Sequence, residues 1–328
     1  MTFPTNAYLA AGIAAMLGTL LSMPLWRWWC IRTGHVDDPG HRKIHDKPIS
    51  LAGGLGVLTG FLTPIVAGVL VLFTGVLPPD TVDSLLYGFS QRKLQLLAIF
   101  GGAVGMVVLG WLDDRHELKP SIKFGGQLLI TFAVAASGVR ITLFIPSVIF
   151  SFAITMLWML TLINALNFMD NMNGLCAGVG AIAAGWIAAI AGLHGQYLVA
   201  LIALAIGGAL VGFLPFNFPK ASSFLGDAGS HLVGFLLAVL AVLPHFYSSS
   251  NPKPLAVISP LLILGVPLID LVWVVIIRWR IGQPFWIGDN NHLSHRLNRR
   301  GFSRPVTVVI LWGLGLGLGG IAFLLNRA

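Results

Sequence analysis

Ten apolar runs punctuate the chain, at about residues 7–26, 51–77, 94–112, 124–138, 145–163, 175–192, 197–214, 231–244, 255–277 and 305–325. A helix needs about 20 apolar residues to cross the hydrocarbon of a bilayer, and most of these runs approach that length. The polar residues between them are unevenly shared. One set of alternate connections carries fifteen of the twenty Lys and Arg, and the opposite set, with the C-terminus, carries five. Basic residues mark the cytoplasmic side. The pattern therefore predicts an all-α polytopic integral membrane protein of about ten transmembrane helices, multi-pass in the plasma (inner) membrane. Both termini lie outside and the basic loops lie in the cytoplasm. The first run is read as a retained anchor, because no small-residue cleavage site separates it from the basic loop that follows. A single membrane-embedded domain over residues 1–328 is expected.

Composition agrees. The chain is 56% hydrophobic and 10% charged, whereas soluble domains carry about 25% charged residues. A net charge of +8 would suggest nucleic acid as partner for a soluble protein. Here it reports topology, so membrane lipid is the expected surroundings and nucleic acid is not a partner. Cys30 and Cys176 match no metal-binding spacing and fall near the same side, so no disulfide framework is expected.

The chemistry gathers in five segments on the basic side. VVLGWLDDRHELKP, residues 107–120, ends an apolar run in two adjacent carboxylates, Asp113 and Asp114. Such a pair is costly at a membrane edge unless a cation holds it. Mg²⁺ suits, since it takes one or two carboxylates and completes its octahedron with phosphate oxygens and water. The loop 37–54 brings Arg42, Lys43, His45 and Lys47 among glycines. In NALNFMDNMNGL, residues 164–175, Asn164, Asn167, Asp170 and Asn173 recur every three residues, a hydrogen-bonding ladder along one face if the helix continues. FNFPKASSFLGDAGS, residues 216–230, offers Phe224 to stack a base and Asp227 to bind metal, ahead of a helix expected to start at Ser230. The loop 278–301 is the most basic and holds His292 and His295. Each segment has a bland explanation as a positive-inside loop, a helix cap or a turn. Their joint placement at one membrane face does not. Asp270 is the one acid inside an apolar run and is left without an assigned partner.

Taken in order, these segments resemble the polyprenyl-phosphate N-acetylhexosamine-1-phosphate transferase superfamily (glycosyltransferase family 4), in the branch that uses UDP-N-acetylglucosamine or a similar sugar for surface polysaccharide. The resemblance spans nearly the whole chain: the RKIH loop, DD, NxxNxxD, GDxGS and a histidine loop. It implies transfer of a sugar-1-phosphate from a UDP-N-acetylhexosamine to polyprenyl phosphate with release of UMP, dependent on Mg²⁺ with Mn²⁺ as a substitute. A homodimer is left open. It also implies roles by position. Asp113 and Asp114 match the acidic pair near lipid phosphate and metal, and Asp227 the metal-binding aspartate. Phe224 matches the residue that stacks on uracil, and Asn217 an asparagine near the nucleotide. Asn167, Asp170 and Asn173 match the nucleotide-side ladder, Lys43 and Lys123 basic residues of the pocket, and His292 and His295 the outer histidines of the last motif.

Two departures stand out. The family's NxxDGxDG is NFMDNMNG here, so Asn171 replaces glycine and Asn173 aspartate, and HLSHRL places Ser294 where a histidine is usual. On a helix, residue 294 points about 200° around from 292, so Ser294→His is expected to change little. The implied mechanism is direct in-line attack on the β-phosphorus rather than a covalent intermediate. A transporter or flippase of lipid-linked sugars is the rival from another class, and a non-catalytic nucleotide-sugar sensor is a third.

Overall fold

The structure, a computed structural model, describes residues 4–38, 47–75, 79–143, 145–244, 253–284 and 291–327. The helices are α1 Thr5–Thr33, α2 Gly53–Leu72, α3 Pro79–His116, α4 Pro120–Ala136, α5 Val148–Met169, α6 Leu175–Leu193, α7 Tyr197–Asn217, α8 Gly226–Leu240, α9 Ser259–Ile263, α10 Gly265–Arg280, α11 Leu293–Arg299 and α12 Arg304–Arg327. Among the described residues the strands are a two-residue antiparallel pair, β1 Val36–Asp37 with β2 Ile49–Ser50, and Ser50 also bridges to Ser223. All ten apolar runs fall on helices, which makes this a multi-pass membrane protein. They are not ten equal spans. Among the described residues, seven helices are long and apolar enough to cross a bilayer. α4 and α8 are shorter, and the run at 255–277 is broken: the segment Pro254–Ile263 and α10 meet at 70°. Pro267 lacks the N–H that would extend the helix back across Leu264, which explains the break.

α8 is the centre of the bundle. Every residue from Ala228 to Leu240 is buried, packed by α2, α3, α5, α6 and α7. A helix that is apolar all round belongs inside, and with protein rather than lipid on every side it need not match the bilayer thickness. The outer helices turn large side chains such as Leu21, Leu129 and Ile149 outward, as lipid contact requires.

α3 meets α8 at Gly110. A Cβ there would overlap the backbone of Asp227 and Ala228, so the helices touch main chain to main chain. Gly110→Ala should therefore force α3 away from α8, at a cost of about 1–3 kcal/mol as for other overpacked cores. It should also lower activity more than the stability loss alone, because α3 carries Asp113 and Asp114 while α8 carries Asp227. A melting profile and turnover equal to wild type would show that this contact does not register the site.

Candidate active site

The site begins with a tight turn. α3 ends at His116, Glu117 adopts φ 47°, and Asp113 Oδ1 accepts the Leu118 N–H at 2.9 Å. Pro120 then opens α4, since its missing N–H is no loss in a first turn. α4 thus starts four residues before the apolar run at 124, and the early start places Lys123 beside Asp113.

Lys123 Nζ lies 2.7 Å from Asp113 Oδ2 and 2.6 Å from Asp227 Oδ2, joining α3 to α8 through a single ammonium. Asn167 of α5 donates to Asp227 Oδ1 at 2.7 Å and to Ser230 Oγ at 2.9 Å. Three helices converge on the Asp227 carboxylate. Asp114 serves differently: its two oxygens accept the Asp227 and Ala228 N–H groups at 2.9 and 3.2 Å. It caps the positive end of α8 and so aims Asp227. Gly226, at φ 70°, is required here, because a Cβ would sit 2.7 Å from Asp114 Oδ2. α8 therefore starts at Gly226, four residues earlier than the expected Ser230.

A cavity of about 960 Å³ opens beside this layer. Asp114, Asn167, Asp170, Asn173, Asn217, Phe224 and Asp227 line it. Lys123 and Asp113 stand behind Asp227 and hold it. Lys43 lies outside the described residues. The far wall comes from the first loop: Ser50 O accepts the Phe224 N–H at 2.9 Å and Gly53 N–H donates to Phe224 O at 3.0 Å, so loops far apart in sequence share one ladder.

The ladder at 164–173 does not continue as a helix. α5 ends at Met169 with Asp170 as its C-cap, so only Asn164 and Asn167 share a face, while Asp170 and Asn173 occupy a turn. Burial, and after it the charges of Asp227 and Asp114, push the Asp170 carboxyl up to about 8. Asn217 spends its side chain inside the protein. Its Oδ1 accepts the Gly174 N–H at 2.6 Å and its Nδ2 donates to Ser223 O at 3.0 Å, which ties the turn to the loop carrying Phe224.

His292 and His295 do not line the cavity. His292 precedes α11 as its N-cap and is buried, with Nδ1 2.7 Å from Asp270 Oδ2, while Leu293 N–H donates to Asp270 Oδ1 at 2.7 Å. The unassigned intramembrane acid thus anchors the histidine segment. His295 lies 6.2 Å from His292 between ring centres, and burial with the nearby His292, Arg304 and Arg299 pulls its imidazole below the ordinary value.

Several participants were not singled out from sequence. Arg27 and Arg304 line the cavity but read in sequence as ordinary positive-inside residues. One turn deeper, Asn164 Nδ2 donates to Gln127 Oε1 at 2.9 Å and Gln127 Nε2 lies 3.2 Å from His231 Nε2. Gln127 and His231 each follow a residue of the ionic layer by four, so the layer rests on a neutral polar one. That i+4 spacing from Lys123 and Asp227 was the available signal.

Asp227 itself offers carboxylate oxygens, and its side chain is 32% exposed whereas that of Asp113 is 10%. Among the described residues no three His, Cys, Asp or Glu side chains gather as a metal site. A hard cation held by one carboxylate together with ligand phosphate and water suits this set; a zinc-type site does not.

Fold and site define a membrane-embedded protein with a cavity lined by carboxylates, amides and cations at one end of its bundle, and comparison with known proteins places it. The family described as Glycosyl transferase family 4 matches residues 96–245. The chain is 30% identical over 326 residues to the "Probable undecaprenyl-phosphate N-acetylglucosaminyl 1-phosphate transferase" of Bacillus subtilis, covering 97% of this chain and 85% of that one. It is 32% identical to the decaprenyl-phosphate N-acetylglucosaminephosphotransferase of Mycobacterium tuberculosis, covering 94% and 80%. It is 35% identical over 277 residues to the phospho-N-acetylmuramoyl-pentapeptide-transferase of Geobacillus kaustophilus, covering 77% and 81%. The chain belongs to glycosyl transferase family 4.

Proposed function

We propose that this protein transfers N-acetylglucosamine-1-phosphate, or a closely related N-acetylhexosamine-1-phosphate, from a UDP-sugar to polyprenyl phosphate and releases UMP, as a first membrane step of surface polysaccharide synthesis. The observation that carries it is the convergence of Lys123, Asn167 and the Asp114 cap on Asp227, at the wall of a cavity large enough for a nucleotide sugar. The printed activities of the Bacillus and Mycobacterium relatives support the choice of sugar.

Phe224 and the turn 170–174 would receive the uridine and sugar. Asp170, at the cavity wall, would meet a carbonyl or hydroxyl of the substrate. Asp227, aimed by Asp114 and Asn167, would hold Mg²⁺ (or Mn²⁺). The ion supplies neutralisation of phosphate charge when bound. A lipid phosphate oxygen forms the new bond to the β-phosphorus, and the bond from that phosphorus to the bridging oxygen breaks, so UMP leaves with the electron pair. The second pKa of a phosphate monoester is about 6, so the nucleophile needs little help from a base. Asp113 accordingly works as the counter-ion that seats Lys123, with both its oxygens engaged. The fifteen basic residues in one set of alternate loops, with Arg27 and Arg304 among them at the cavity, support a cytoplasmic site with both termini outside. A transporter reading is less well supported, because Gln127, Asn164 and His231 sit directly beneath the ionic layer instead of marking a path across the membrane.

UMP release from UDP-N-acetylglucosamine by purified protein with undecaprenyl phosphate and Mg²⁺ tests the reading. No release with any UDP-N-acetylhexosamine would overturn it. Phe224→Ala should weaken UMP product inhibition by about 1–3 kcal/mol, the range for losing an aromatic stacked on a base, with a smaller effect on turnover at saturation. An unchanged UMP inhibition constant would mean that Phe224 only packs against the loop.

A further inference from the structure

Two of the three positions singled out as departures in sequence, Asn171 and Ser294, touch each other. Ser294 Oγ donates to Asn171 Oδ1 at 2.7 Å, across 123 residues of chain. Asn171 Nδ2 in turn donates to Phe168 O at 3.0 Å, at the end of α5. Both ends of the Asn171 amide are therefore fixed, and Asn171 itself lines the cavity between Asp170 and Asn173. Ser294 is 1% exposed. Its hydroxyl reaches into the 170–174 turn rather than into open space, and His292, the extended N-cap outside α11, is not related to it by helical geometry. The expectation that Ser294→His changes little is corrected by this packing.

We propose that Asn171 and Ser294 form a positioning pair, which registers α11 against the cavity wall and contributes to discrimination among UDP-N-acetylhexosamines. A glycine at 171 would leave room beside α11 and no acceptor. A larger side chain at 294 needs that room. The two residues are thus exchangeable together and not singly. α11 keeps its other anchor, Asp270 on His292 and Leu293, so losing the pair shifts the wall without releasing the helix. This inference rests on the transfer activity proposed above.

The test measures kcat/KM for UDP-N-acetylglucosamine and UDP-N-acetylgalactosamine, because their ratio does not depend on the fraction of protein that is active. A hydrogen bond of this kind is worth about 0.5–1.5 kcal/mol. Ser294→Ala and Asn171→Ala should each shift the ratio by about threefold to tenfold, and the double variant no further than either single, as expected for residues acting through one contact. Ser294→His alone should cost more than Ser294→Ala, and adding Asn171→Gly should recover activity to within about threefold of wild type. Melting profiles check folding; if Ser294→His does not fold, the two alanine variants still decide. An active wild type whose ratio is unmoved by the alanine variants, or shifts that multiply in the double, overturns the pair alone. A wild type that releases no UMP overturns the transfer reading and this inference with it.

Discussion

Asp227→Asn is expected to reduce UMP release by about two to three orders of magnitude or more, the scale on which removal of one preorganised electrostatic group acts, while leaving the melting profile close to wild type. The carboxylate is the point where α3, α4, α5 and α8 meet: Lys123 and Asn167 hold its oxygens and Asp114 holds its backbone. An amide can still accept from Asn167, and Lys123 keeps Asp113 at 2.7 Å, so the folded frame retains its partners. What disappears is the negative charge facing the cavity. Raising Mg²⁺ should not rescue the variant. Turnover near that of wild type would remove Asp227 from the reacting centre.

Lys123→Met should damage stability and activity together. The ammonium bridges the Asp113 and Asp227 carboxylates and offsets their mutual repulsion, and Asp114 and Asp170 lie in the same region. Removing one partner of a largely buried ion pair costs about 3–5 kcal/mol, because the remaining charge is left uncompensated. Here two carboxylates are left, so a marked drop in melting temperature is expected along with loss of transfer. The variant also reports on metal. If Asp227 holds Mg²⁺, millimolar Mg²⁺ should restore part of the melting temperature of Lys123→Met, and Ca²⁺ should do so less effectively because it prefers more and longer oxygen contacts. A stable variant whose melting is indifferent to Mg²⁺ would argue that the carboxylates need no cation.

Much of this protein was legible in its order of residues. Apolar runs specify membrane helices through local transfer energetics, which require no knowledge of neighbours. The acidic pair, the GDAGS turn and the asparagine ladder were visible because charged and amide side chains at a membrane edge need partners. Sequence distance hid who those partners are. Asp114 reads as a metal ligand beside Asp113, and only the approach of α3 to α8 at Gly110 turns its oxygens to the Asp227 and Ala228 N–H groups. Asn217 reads as a nucleotide contact until the fold gives it Gly174 and Ser223. α8 reads as one span among ten, yet its length is set by helices wrapped around it rather than by lipid. Residue types and their periodicity determined that this chain enters the membrane and gathers anion-handling chemistry at one face. Which carboxylate faces the cavity, which one caps a helix, and that Asn171 and Ser294 meet were decided by tertiary packing, because hydrogen bonds are directional and are assigned only once the helices stand at fixed distances.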